Sequence, residues 1–179
     1  MARYSCLQAD GGAWRRGSHA LVEEATLSLI LNGRTILAAA VSPHDPEAFV
    51  VGFLFTEEIV RGLDEIESIK RDGNVVSVLT KNPFRGGGGK KIVLSGCGGT
   101  TSHLDTKRLP KLTSPLTVPL PRIVEAMDQL LASRAEPVPG GIHTAALAGR
   151  EGPLLAASDI GLHNALDRAI GLALQAKRD

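Results

Sequence analysis

Only two of the 179 residues are cysteine, and only 3% are aromatic: four Phe, one Tyr and one Trp. Two thiols cannot build a disulfide framework, so the chain reads as a protein of a reducing, cytoplasmic compartment. So few rings leave no stacking platform for single-stranded nucleic acid. An excess of one charge sign is missing as well. Twenty Lys and Arg face 19 Asp and Glu, a formal net charge of +1, which gives no field to draw the chain onto a phosphate backbone or an anionic bilayer. No nucleic acid and no membrane partner is therefore expected. The longest apolar run, residues 48–55, is far too short to span a bilayer, and the N-terminus MARYSCLQADGGAWRRG lacks the apolar core of a signal peptide. What is present is a hydrophobic share of 43%, enough for one domain or a tight two-lobed one, and 20 glycines that concentrate interest in loops.

The pattern along the chain predicts an α/β (α+β) protein. Leu27, Leu29 and Leu31 alternate before Asn32-Gly33, and a second apolar run over residues 35–41 completes a hairpin. Ser42-Pro43-His44-Asp45-Pro46-Glu47 opens a helix, with Asp45 as the cap and Pro46 at its first position. This helix is expected to run to about Val60, with Phe49, Val50, Phe53 and Leu54 on its core face. Residues 66–70 and 75–80 read as a further hairpin, and Arg85-Gly86-Gly87-Gly88-Gly89-Lys90-Lys91 as a loop that lacks the Gly-Lys-Ser/Thr ending of a phosphate-binding loop. A helix is expected over residues 121–134, and a last one with Leu166, Ile170 and Leu174 inward. The organisation reads as a poorly ordered tail (1–22), an N-terminal lobe (23–105), an extended proline-containing linker (106–121) and a C-terminal part (122–179).

Three groups can carry chemistry. Cys97 sits in Ser95-Gly96-Cys97-Gly98-Gly99, where neighbours without side chains leave the sulfur open and let backbone N–H groups converge on an anion. A small buried residue in a tight turn is the alternative for the same cysteine. Cys97, His103, His143 and His163 are the residue types of a zinc site, but their spacing is not diagnostic, and the His-x-Glu and Pro-Cys-x-x-Cys pair of zinc deaminases is absent. No metal ion is expected. The third group is the polar block from Asp159 to Arg168. In it Asp159 can cap a helix or bind a ligand, Asp167 lies one turn from His163, and Arg168 lies one turn from Asn164.

The glycine-rich Cys97 loop, Gly140-Gly141-x-His143-x-Ala-Ala-Leu and Asp159-x-Gly161-x-His163-Asn164-Ala165-x-Asp167 together resemble the formate dehydrogenase accessory sulfurtransferase family (FdhD/NarQ). Asn32-Gly33, Ser42-Pro43-x-Asp45 and Gly52-Phe53-Leu54 with Glu57 and Glu58 look like the family's Asn-Gly, Thr-Pro-x-Asp and Gly-Phe-Leu-x-x-Glu-Gly stretches. The resemblance implies a cytidine deaminase-like mixed sheet with helices, plus a small hairpin-rich N-terminal lobe. It implies a sulfur carrier that takes persulfide sulfur from a cysteine desulfurase onto Cys97. That sulfur would pass to the molybdenum cofactor, bis-molybdopterin guanine dinucleotide, for maturation of formate dehydrogenase. Gly140, Gly141, His143, Asp159, His163, Asn164 and Asp167 become the candidates for the cofactor side.

Four positions depart from the family pattern. Thr100 stands where a second cysteine is usual, Ser158 for Glu, Leu162 for Arg and Arg168 for Lys. Thr100 leaves only a one-cysteine mechanism. The chain also stops at Asp179, where family members continue, so the C-terminal part is expected to be incomplete and a second copy to cover an open sheet edge, giving a homodimer. The alternative reading is a non-catalytic protein that binds the molybdenum cofactor or a guanine nucleotide as a chaperone and has lost sulfur transfer.

Overall fold

A computed structural model describes residues 2–83, 91–93, 113–132, 141–149 and 155–176. Cys97, Thr100, His103, Gly140, the glycine loop at 86–89 and the first part of the expected linker lie outside the described residues. The architecture is mixed α/β. Its centre is a five-stranded sheet in the order β5-β6-β3-β4-β7, built from β3 (Ala25–Leu31), β4 (Arg34–Val41), β5 (Ile66–Asp72), β6 (Val75–Thr80) and β7 (Lys91–Val93). The two hairpins legible in sequence are both there, β3–β4 turning at Asn32-Gly33 and β5–β6 at residues 73–74. At the first turn both residues are left-handed, with φ of 48° at Asn32 and 79° at Gly33, as a tight antiparallel reversal requires. The hairpins join through parallel pairing of β3 with β6, and β7 adds in parallel to β4. Asn32 also ties them, its amide accepting from the Thr80 N–H and donating to the Thr80 hydroxyl, both at 2.9 Å.

The helix α1 (Pro46–Thr56) lies on this sheet and presents Phe49, Val50, Phe53 and Leu54 to Leu27, Leu29, Leu37, Val76 and Val78. Its other side is buried as well, Ala48 and Gly52 lying against α3 (Leu162–Gln175) and Val51 fully buried beside them. A helix apolar all round belongs between two layers, and α1 is that middle layer. It ends at Thr56, short of Val60, because Glu58 turns left-handed at φ 56° and the N–H groups of Ile59 and Val60 fold back onto the Leu54 carbonyl. Asp45 does precede the helix, but its side chain makes no capping bond and its φ is 40°.

A two-stranded antiparallel sheet, β8 (His143–Leu147) with β9 (Leu155–Asp159), packs against α3. The inward face of α3 differs from the expected one. Leu166 is 41% exposed, and the buried residues are Asn164, Ala165, Arg168, Ala169 and Gly171. The cause is the closeness of α1. A Cβ at Gly52 would lie 1.7 Å from the Asp167 carbonyl oxygen, and one at Gly171 would lie 1.8 Å from that of Ala48. Two helices in backbone contact leave room for alanine and glycine, not leucine.

Residues 2–21, expected as a poorly ordered tail, instead form the hairpin β1 (Ala2–Asp10) and β2 (Ala13–Leu21), reversed at Gly11-Gly12 with φ of 54° and 86°. A polar, weakly alternating sequence hid the strands, but two adjacent left-handed glycines are a hairpin signal. The helix α2 (Leu120–Ala132) buries Leu130, while Ile123, Met127 and Leu131 stay about half exposed.

Candidate functional site

The C-terminal ends of β4 and β9, the turn over residues 42–45 and the first turns of α3 meet in one buried polar cluster. Asp159, fully buried, closes β9 and accepts four hydrogen bonds. Its Oδ2 takes the Ser42 N–H at 3.1 Å and Arg168 Nη2 at 2.6 Å, and its Oδ1 takes the Gly161 N–H at 3.0 Å and Asn164 Nδ2 at 3.1 Å. Asn164 Nδ2 also donates to the Ala40 carbonyl at 2.9 Å. Gly161 is small for a reason, because a Cβ there would come within 2.6 Å of that amide nitrogen. The Ser42 hydroxyl accepts the Ile160 N–H at 3.1 Å.

Arg168, 1% exposed, is the second hub. Its guanidinium pairs with Asp159 and donates to the carbonyl oxygens of Ser42 at 3.1 Å, of Asp45 at 2.7 Å and of His44. A buried ion pair is favourable only when its remaining hydrogen-bonding positions are filled, and here all but Arg168 Nε are. The guanidinium draws three carbonyls of the 42–45 turn inward, which accounts for the left-handed Asp45 and for a helix entry with no side-chain cap.

Around this core stand the exposed groups. His44 donates its Nε2–H to the Ser158 carbonyl at 3.0 Å, and the hydroxyls of Ser158 and Thr144 lie 3.0 Å apart. His143, half-buried, opens β8 opposite Asp159, and His163 is exposed in the first turn of α3. Gly141 precedes β8 at φ 97°. Among the described residues no three His, Cys, Asp or Glu side chains gather to hold a metal, and no helix is long and apolar enough to cross a membrane.

A model of the FdhD/NarQ family matches residues 22–179. The chain belongs to that family. The sulfur carrier protein FdhD of Wolinella succinogenes is 30% identical over 165 positions, covering 86% of this chain and 56% of the relative. That of Anaeromyxobacter dehalogenans strain 2CP-1 is 32% identical over 190 positions, covering 94% and 65%. The chain thus spans between 56% and 65% of the length of these relatives. A solved structure from Desulfotalea psychrophila, described as a formate dehydrogenase accessory protein, shares the fold with a TM-score of 0.75 and 21% identity over 99% of this chain and 70% of that one.

The geometry gives the FdhD/NarQ motifs physical roles. Gly52 of Gly-Phe-Leu lets α3 touch α1, and the Ser42-Pro43-x-Asp45 turn is held by the Asp159 block through Asp159 and Arg168. Within that block Asp159, Gly161 and Asn164 are joined by hydrogen bonds or close packing, and His163 is the exposed member. Asp159 and Asn164, candidates for the cofactor side, are buried and bonded within the chain, whereas His143, His163, Asp167 and Gly141 keep exposed surface. Ser42, His44 and Thr56 are absent from the candidates read in the sequence, and of these only Ser42 had a signal, its place in the Ser42-Pro43-x-Asp45 motif. Arg168 is in the polar block read there, one turn from Asn164, but it pairs with Asp159 and the turn carbonyls, since nothing local marks which partner an arginine will find.

Asp167 bonds across to α1, its Oδ1 lying 2.9 Å from the Thr56 hydroxyl, which is itself 3.2 Å from the Phe53 carbonyl. Burial pushes its carboxyl up from 3.8 to about 6, against the opposing effects of the Thr56 hydrogen bond and the His163 charge. The Thr56 hydroxyl is the donor in both contacts, so it favours the charged carboxylate and offsets part of the effect of burial. Because the folded state holds this proton up to about pH 6 and the unfolded chain releases it near 3.8, the group's contribution to stability is greatest below 3.8. That contribution falls as pH rises through the interval and is constant above it. Denaturant titrations of wild type and Asp167→Asn across this interval are expected to show wild type losing stability relative to the variant as pH rises; parallel curves would refute the coupling.

Proposed function

We propose that the chain is a sulfur carrier in which Cys97 takes sulfur from a cysteine desulfurase and passes it to bis-molybdopterin guanine dinucleotide, held as substrate, for maturation of formate dehydrogenase. The observation that carries this reading is that the family match over residues 22–179 contains one cysteine, Cys97, set in a glycine loop. The Cys97 thiolate attacks the terminal sulfur of the donor persulfide, the donor S–S bond breaks, and the donor cysteine leaves as a thiolate. The sulfur is transferred without net redox change. Side chains on either flank would obstruct a bulky donor, which glycine neighbours avoid.

The exposed His44 and His163 and the half-buried His143 supply polar groups for the cofactor side, while Asp159 and Arg168 hold the turn and helix that carry His44 and His163. Incubation with a cysteine desulfurase and cysteine is expected to add the mass of one sulfur atom to the intact protein and none to Cys97→Ser. Absence of the added mass on wild type, or equal addition to both, would overturn the reading.

A non-catalytic binding role is the second reading, favoured by Thr100 and by Leu162, which opens α3 47% exposed where the family pattern has Arg. Leucine offers no fork for a phosphate. Binding of a guanine nucleotide with no sulfur on Cys97 would decide for it.

A further inference from the structure

The β1–β2 ribbon has two open edges. Among the described residues no third strand joins it, so each strand pairs on one side and leaves a row of backbone N–H and C=O groups on the other. Its nine-residue strands reach roughly 30 Å at about 3.3 Å per residue, long enough to template a further strand. The side chains are open too, and only Cys6, Gly17 and Ala20 of those described are partly covered. A lone two-stranded ribbon is marginal in water, and a third strand is the ordinary way to complete it.

The β2 edge says what that strand must carry. Trp14, Arg15 and Arg16 follow one another along it, with Trp14 and Arg16 on one face and Arg15 on the other. Leu7 stands directly across from Arg16 and diagonal to Trp14, so the ring has an apolar neighbour on its own face. Trp14 is 71% exposed and Leu7 63%. Arginines alone can serve to keep strands off an open edge, but a bare tryptophan between them invites contact. In a chain of net charge +1, residues 2–21 hold three arginines against one acid, Asp10. The ribbon is also rooted at the site, because Val22 follows β2 and its Cγ2 would lie 3.9 Å from a Cβ at Gly141, just before β8 and His143.

We propose that the β2 edge is a docking strand for a partner protein, which adds to it an extended segment with an apolar residue against Trp14 and acidic residues against Arg15 and Arg16. Backbone hydrogen bonds to the open edge supply affinity, and the three side chains supply selectivity. A partner held there is held beside Gly141 and His143. The inference does not depend on sulfur transfer by Cys97, and the mass measurement on Cys97 and the binding measurement below can each fail alone.

Trp14 is the single tryptophan of the chain, so its emission reads this edge directly on the full protein. The probe is the peptide Thr-Val-Thr-Val-Glu-Glu-Val-Thr-Val, whose Val-Glu-Glu-Val core serves either strand direction. A saturable blue shift of Trp14 is expected, with slowed amide exchange along β2. Affinity is expected to fall at least about tenfold as salt goes from about 0.1 M to about 1 M and the screening length from about 10 Å to about 3 Å. Proline in place of two of the threonines removes backbone donors, and at least about a tenfold loss is expected. R15E/R16E is expected to lose the peptide by a similar factor and to bind its Lys-Lys counterpart instead, which also shows that the variant is folded. No saturable shift with the Glu-Glu peptide overturns the proposal, as does equal binding of the Lys-Lys peptide to wild type. Undiminished binding of the proline peptide would mean charge attraction without strand addition and overturns it too. So does a Trp14 shift on phosphatidylglycerol vesicles in the absence of one with the peptide, which would make a bilayer the occupant.

Discussion

Gly52→Ala is expected to lower folding stability by at least about 3 kcal/mol, at or beyond the upper end of the usual cost of overpacking. Helix propensity works the other way, since alanine is favoured over glycine by about 1 kcal/mol inside a helix. Packing wins because the added carbon would sit 1.7 Å from the Asp167 carbonyl oxygen, a backbone atom of another helix that cannot swing aside. Relief requires α3 to back away from α1. That motion strains the Thr56 bond to Asp167 on the same turn and pulls Arg168, the next residue, off the 42–45 carbonyls. For a chain of this size the loss corresponds to a melting temperature lower by roughly 6 to 12 °C. Gly171→Ala, which would meet the Ala48 carbonyl at 1.8 Å, is expected to behave alike. Thermal and denaturant unfolding of both variants checks this. A change below about 1 kcal/mol would mean that the helices separate freely and that backbone contact does not define the interface.

The same contact explains what could and could not be read from the sequence. The hairpins at Asn32-Gly33 and at residues 73–74 were legible because alternation and turn residues are local signals. The sheet-facing residues of α1 were legible because large apolar side chains at helical spacing face a sheet. On α3 the rule that large apolar residues point inward misled, placing Leu166 inside when Ala165, Ala169 and Gly171 are the buried ones. Close approach selects small residues, and nothing in the sequence of α3 alone shows that another helix carries Gly52 to the same place. The site followed the same division. The Ser42-Pro43-x-Asp45 and Asp159-to-Asp167 motifs were both visible, but a span of 117 residues separates Ser42 from Asp159, and only the fold shows that they are one hydrogen-bonded unit. Asp45 was read as a cap on local grounds, yet Arg168 reaches its carbonyl at 2.7 Å and outweighs that preference.

Arg168→Met is expected to cost about 3 to 5 kcal/mol, the range for removing one partner of a buried ion pair. The side chain is 1% exposed and its partner Asp159 is fully buried, so water cannot replace the lost guanidinium. Asp159 would keep its neutral donors, the N–H groups of Ser42 and Gly161 and the Asn164 amide, but would hold its charge without a counterion. The carbonyls of Ser42, His44 and Asp45 would lose their donor together; of these bonds only the one to Ser42 is fully buried, and an unsatisfied buried acceptor costs about 1 to 3 kcal/mol, a loss that overlaps with the ion-pair term rather than adding to it. Arg168→Lys separates charge from geometry. An ammonium restores the counterion but cannot span Asp159 and three carbonyls as a planar fork does, so an intermediate loss of about 1 to 2 kcal/mol is expected. A double-mutant cycle with Asp159→Asn is expected to show strong coupling, because each single change strands a buried polar partner that the double change does not. Equal stability of the Met and Lys variants would show that charge is irrelevant at this position, and additive losses in the cycle would show that Asp159 and Arg168 act independently. Either result would remove the basis for treating the 42–45 turn and the first turns of α3 as one rigid unit carrying His44 and His163.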